Sequence, residues 1–217
     1  MKSILISSPT DLSAEIELVN ALFEESLACF HLRKPDYSRI QTEHFLKQIK
    51  PAFLKRVVLH QHYELLEKYN LKGIHLKEDA YKAMKEEDLL AVFSTAQKRR
   101  ITVSLSMHQV EDLPLVRKEF AYTFLSPVFD SISKSGYRGN ATLCVPPGLK
   151  AEVLALGGIT LENLDQLSEK GFAGFAILGT IWKPYHEGSS IETLVELFRK
   201  IEEKGKAIAW NKTDLSS

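Results

Sequence analysis

Short apolar runs of strand length alternate along this chain with longer segments whose apolar residues recur at helical spacing. That alternation is the pattern of repeated βα units laid around a parallel sheet. Strands are predicted over residues 3–6, 29–32, 56–59, 73–76, 101–105, 121–125, 153–156 and 174–178. Between them, Ile16, Val19, Phe23 and Leu27 share one face of a helix predicted over 12–26, and Phe45, Leu46 and Ile49 mark a second that Pro51 helps to end. Further helices are expected over 63–69, 86–100, 110–118 with a notch at Pro114, and 160–171 with Thr160 as its cap. Ser189 and Glu192 are spaced as a capping box for a last helix, whose apolar stripe is Ile191, Leu194, Val195, Phe198 and Ile201.

The rhythm breaks once, over residues 139–149, where Pro146, Pro147 and Gly148 allow at most a helical turn. Eight strands, each followed by a helix or its remnant, predict an α/β fold: a (β/α)8 or TIM barrel with an irregular sixth unit. It is expected as a single domain over residues 1–210, with the polar stretch 211–217 as a flexible C-terminal tail. A doubly wound open sheet is the runner-up, but no Gly-x-Gly-x-x-Gly follows an early strand.

Composition narrows the setting. At 217 residues and 44% hydrophobic content, the chain can bury one full core. Lys plus Arg equals Asp plus Glu at 28 each, so no overall field draws it to nucleic acid or an anionic membrane. Cys29 and Cys144 match no metal spacing, the N-terminus lacks a secretory apolar core, and no apolar run reaches the roughly 18 residues of a membrane span. A cytoplasmic protein is the expectation.

In a barrel of this kind, ligand groups lie at the C-terminal ends of the strands. Those ends carry Ser7 and Ser8, then His31, Arg33 and Lys34, then His60, Gln61 and His62, then His75, then Ser106 and His108. Ser126 and a loop with Ser131, Ser133 and Lys134 follow strand six, where a β-branched and aromatic run gives way to polar residues. Gly157-Gly158 and Gly179-Thr180 close strands seven and eight, where barrels bind phosphate with backbone amides and a helix N-terminus. The plainer reading of both pairs is tight strand-to-helix turns. Ser106, three residues before Gln109, is spaced equally well to cap the following helix. Glu78 and Asp79 offer oxygen ligands for magnesium, against the ordinary reading of a solvated acidic turn. No His-x-x-x-His spacing points to zinc.

These residues resemble the thiamine phosphate synthase and thiazole tautomerase (TenI) superfamily of small barrels. The resemblance runs from strand two to strand eight, through Phe30-His31-Leu32-Arg33-Lys34, Gly73-Ile74-His75-Leu76 with Glu78-Asp79, and Ser104-Leu105-Ser106-Met107-His108. It continues through Ser126-Pro127-Val128-Phe129-Asp130-Ser131-Ile132-Ser133-Lys134, Leu154-Ala155-Leu156-Gly157-Gly158-Ile159 and Gly174-Phe175-Ala176-Ile177-Leu178-Gly179.

The resemblance implies a thiazole bearing an ethyl phosphate, held by Gly157, Gly158, Gly179 and Thr180. Synthases of this superfamily join it to a pyrimidine pyrophosphate, using a Gln-x-Arg-x-Lys strand end, an Asn-Asp pair and an acid that manage pyrophosphate and magnesium. Here the first reads His31-x-Arg33-x-Pro35, the second reads His60-Gln61, and Asp79 matches the third. Ser131, Ser133 and Lys134 match the strand-six loop, and His108 matches the tautomerase histidine.

A tautomerase, which shifts a proton on the phosphorylated thiazole carboxylate to make the ring aromatic, is therefore the first expectation. It assigns His108 as acid–base, with His31 and Ser126 as second choices. Arg33, Lys34, His60, Ser106, Ser131, Ser133 and Lys134 bind substrate, and Arg33 or Lys134 orients its carboxylate. It needs no cofactor. Thiamine phosphate synthase activity is the alternative and brings magnesium, with Asp79 as the metal residue. A non-catalytic regulatory barrel binding the same phosphate ligand is the third. The partner expected is this small phosphorylated thiazole, not nucleic acid or a membrane; a homodimer is left open.

Overall fold

Strands covered on both faces must be apolar on both, and β2 (Cys29–Leu32), β3 (Val57–Leu59), β4 (Gly73–Leu76) and β6 (Tyr122–Leu125) are buried at every position. In the computed structural model, which describes residues 2–130, 132, 138–140 and 142–208, they belong to a closed sheet. The other members are β1 (Lys2–Ile6), β5 (Thr102–Met107), β7 (Val153–Leu156) and β8 (Gly174–Ile177). All eight pair in parallel and in chain order, and β8 returns to β1 through Ser3 opposite Phe175. The (β/α)8 barrel expected from the hydrophobic rhythm is the fold observed.

Alternation along each strand sorts side chains into two cores. Ile4, Ile6, Val58, Tyr122, Phe124, Leu154 and Ala176 pack together as one cluster that fills the lumen. Leu5, Phe30, Leu32, Leu59, Leu105 and Phe175 pack outward against the helices. Those helices are α1 (Glu15–Glu24), α2 (Arg39–Gln48), α3 (Glu78–Ala83), α4 (Glu86–Arg99), α5 (Asp165–Glu169), α6 (Gly179–His186) and α7 (Ile191–Ala207). Leu194, Val195, Phe198 and Ile201 are buried along the stripe of α7, as its periodicity requires. Among the described residues no helix is long and apolar enough to cross a membrane.

Several local expectations differ from the fold. Residues 63–67 and 110–115 form 3-10 turns where α-helices were expected, the second around Pro114, which removes a donor from the turn. The helix expected over 160–171 shrinks to α5, and Thr160 does not cap it. Asn163 accepts the Thr160 N–H at 2.9 Å and donates to the Gly158 carbonyl at 2.8 Å, which holds the loop in a non-helical form. The cap of α7 is Ser190, not Ser189: its hydroxyl accepts from the Thr193 N–H. The acidic turn at Glu78 opens α3, and Gly179 opens α6, two helices that periodicity did not show. The expected tail, 211–217, lies outside the described residues.

Candidate active site

The C-terminal ends of the strands open on a cavity of about 350 Å³ lined by Arg33, His60, His75, Ser106, His108, Ser126, Gly157, Gly158, Gly179 and Thr180 among others. Ten residues singled out by strand-end position thus meet at one mouth. Lys77, Glu78, Asp79, Phe124 and Ile132 line it with them.

His108 follows β5 and Glu78 opens α3, thirty residues apart in sequence, and their side chains meet at 2.5 Å between Nδ1 and Oε2. Burial pushes the Glu78 carboxyl up, but hydrogen bonds from Lys82 and His108 outweigh it and hold the group below its usual range. Lys82 donates to Glu78 at 2.6 Å and to Asp112 at 2.8 Å, completing a charge-assisted chain behind His108. With Nδ1 committed to a carboxylate, Nε2 is the imidazole nitrogen left for chemistry in the cavity. Sequence reasoning weighed Glu78 as a metal ligand and missed it as the partner of His108. No local motif links the two.

The opposite wall is built from backbone. Gly157 and Gly158 have φ of 101° and 64°, and a Cβ on Gly158 would stand 2.3 Å from the Asp130 carbonyl oxygen. Only glycine allows that approach. At the start of α6 the first backbone donors to turn back are Ile181 and Trp182, both to the Leu178 carbonyl. Gly179 and Thr180 thus hold the N–H positions that a helix start offers to an anion. The Thr180 hydroxyl itself donates to the Ile159 carbonyl and ties the two loops together.

Other strand-end groups serve the scaffold. Lys34 is 2% exposed and lies outside the cavity, with Nζ at 2.5 Å from Glu15 and 2.7 Å from the Thr10 carbonyl. Gln61 donates to the Lys34 and Tyr37 carbonyls, and the Ser7 hydroxyl braces the backbone of Arg33. The capping alternative for Ser106 is overturned: the turn after β5 starts at Gln109 with no side-chain cap, and Ser106 Oγ instead meets His75 Nε2 at 2.7 Å. Ser131, Ser133 and Lys134 lie outside the described residues.

His31 does not line the cavity. It is fully buried beneath, with Nδ1 at 2.9 Å from His60 Nε2 and Nε2 at 2.6 Å from the Tyr122 hydroxyl. Burial pushes His31 and His60 well below the usual imidazole range and His75 down to about 3. All three rings are therefore neutral.

For magnesium, the rim offers Asp79, which forms no ion pair among the described residues, while Glu78 is committed to Lys82 and His108. One carboxylate suits a largely hydrated ion carried in with a diphosphate, not a resident ion held by protein oxygens.

A closed (β/α)8 barrel with a carboxylate-paired histidine and the start of a helix at the mouth where its strands end has the architecture of a barrel enzyme. The chain belongs to the TMP-TENI family, described as thiamine monophosphate synthase, which matches residues 4–181. It stands among enzymes of thiamine biosynthesis. A thiamine-phosphate synthase of Photorhabdus laumondii is 22% identical over 202 residues, 86% of this chain and 88% of that protein. One from Anoxybacillus flavithermus is 26% identical over 112 residues, and the match spans 48% of this chain and only 50% of that protein. The crystal structure of thiamine phosphate pyrophosphorylase from Bacteroides thetaiotaomicron is 28% identical, with a TM-score of 0.71 over 95% of this chain and 98% of that one.

Proposed function

We propose that this barrel catalyses a proton shift on a phosphorylated thiazole carboxylate, with His108 as acid–base. The observation that carries the reading is the 2.5 Å contact of His108 with Glu78 at the mouth of the cavity. A neutral imidazole donating Nδ1–H to a carboxylate presents the Nε2 lone pair as a base. His108 takes the ring proton, the Glu78 carboxylate stabilises the imidazolium, and the proton returns to a second ring atom to leave the thiazole aromatic. The Gly157-Gly158 and Gly179-Thr180 loops would hold the phosphate, and Arg33 and Lys77 supply cationic partners for the carboxylate. Of the substrate-binding residues assigned from the sequence, Arg33, His60 and Ser106 share that cavity.

A second reading is coupling of a pyrimidine diphosphate to the thiazole phosphate, and the names of the relatives support it better than the first. There Asp79 would hold magnesium, which neutralises the charge of the departing diphosphate, and Arg33 and Lys77 would bind its oxygens. A direct comparison separates the two. Metal-free protein is expected to accelerate thiazole aromatisation, and His108→Gln to reduce the rate about 100-fold or more. Magnesium-dependent release of diphosphate from the pyrimidine substrate, with no effect on aromatisation, would establish the second reading in place of the first.

A further inference from the structure

Three imidazoles meet at the floor of the cavity, His60 and His75 lining it and His31 buried beneath, and none of them is the acid–base of the proton shift. His31 lies in β2, His60 follows β3 and His75 lies in β4, so three adjacent strands bring them to one level of the lumen. Their ring centroids stand 4.3, 5.1 and 5.3 Å apart, and one nitrogen from each falls within 4.8 Å of the other two. No carboxylate belongs to the group. Phe124 closes one side, 5.2 Å from His31 and 5.3 Å from His75.

We propose that His31, His60 and His75 bind a borderline-soft divalent transition ion such as Zn2+, one ring nitrogen each, with the fourth coordination position open to the cavity. Nitrogen donors without carboxylates select this class of ion over magnesium or calcium. A tetrahedral zinc with Zn–N bonds of about 2.0–2.1 Å spaces its ligand nitrogens about 3.3 Å apart. His31 Nδ1 and His60 Nε2 stand at 2.9 Å and have only to part slightly, while the widest edge, up to 4.8 Å, has to close on the scale of a side-chain rotation.

The groups behind the rings have the acceptors a metal site requires. His31 Nε2–H can donate to the Tyr122 hydroxyl at 2.6 Å, which turns Nδ1 toward the ion. His75 Nδ1–H can donate to Ser104 Oγ at 2.9 Å, and that hydroxyl donates in turn to the Ile74 carbonyl, so His75 Nε2 is the nitrogen for the ion once the Ser106 hydroxyl, 2.7 Å from it in the metal-free site, turns away. His60, His75 and Ser106 line the cavity, so the fourth position faces substrate and solvent. Arg33 and Lys77 on the same rim oppose a bare dication and favour an anionic fourth ligand, either hydroxide or the phosphate or carboxylate of a bound molecule. The proposal stands apart from either reaction above, since its ligands include neither His108 nor Asp79.

The full chain, stripped with chelator and titrated with Co2+, is expected to develop the intense visible bands of a tetrahedral cobalt site at one equivalent. Zn2+ should displace it and raise the melting temperature. His31→Gln and His60→Asn retain polar side chains without the imidazole, and each is expected to weaken Co2+ binding on the order of 100-fold or more. Absence of the bands at millimolar Co2+, or unchanged affinity in both variants, overturns the site. If either variant fails to fold, wild-type protein with 15N-labelled histidine decides the matter. Zn2+ must shift the ring nitrogens of His31, His60 and His75, and shifts confined to the exposed His44, His108 and His186 reject the proposal.

Discussion

Lys34 and Glu15 are each 2% exposed and meet at 2.5 Å, while the other carboxylate oxygen of Glu15 accepts the Ser8 N–H at 2.9 Å. Burial pushes the Glu15 carboxyl up, and its contacts with Lys34 hold it down only in part. A lone carboxylate left in that position has no route to water. Lys34→Met is therefore expected to destabilise the fold by about 3–5 kcal/mol in urea titration, and the double change Lys34→Met with Glu15→Leu to recover most of it. A loss confined to substrate affinity, with stability intact, would return Lys34 to the ligand site the sequence assigned it.

Glu202 is another buried carboxyl, 5% exposed on α7, and among the described residues neither its Oε1 nor Ser3 Oγ has a hydrogen-bond partner in range. Burial raises its pKa, and the nearby Lys206 charge offsets the shift only in part. A carboxyl whose folded pKa is raised favours the fold when protonated. That contribution is whole below the ordinary value of 4.5 and is lost as pH rises through the folded pKa. Glu202→Gln should thus stabilise the protein at neutral pH by about 1 kcal/mol, and its advantage over wild type should vanish in melts below about pH 4.5. A constant advantage at every pH would mean that charge is not the cause.

At the scale of elements, the loop after β7 was legible as glycine-rich but ambiguous in role. Positive φ at Gly157 and Gly158 fits a tight turn, and their place in the cavity wall fits a ligand loop, so the two readings coexist. Gly158→Ala meets the Asp130 carbonyl oxygen and should cost about 1–3 kcal/mol, with weaker binding of inorganic phosphate measured calorimetrically. Gly148→Ala is the control: its φ is 78°, but open space surrounds it, so only the backbone penalty applies. Equal losses for the two would remove the close approach from the argument. Strands were easier to read than helices for a related reason. β4 is bounded by Gly73 and buried throughout, whereas the 63–67 and 110–115 segments have helical spacing but too few residues to choose an α-helix over a 3-10 turn.

For the whole molecule, the sequence by itself determined the number of strands, their order and the end at which polar groups collect. Each of those follows from local periodicity and from turn residues, both of which are written along the chain. Only the tertiary structure decided which of those groups touch. Closing the sheet through β1 and β8 sets strands side by side in register, and positions about thirty residues apart become neighbours. His108 thereby acquires Glu78, three histidines with no shared motif gather in the lumen, and Lys34 turns to Glu15 instead of the cavity. A linear spacing rule cannot register such pairs, because the distance that matters is set by strand register across the barrel and not by separation along the chain.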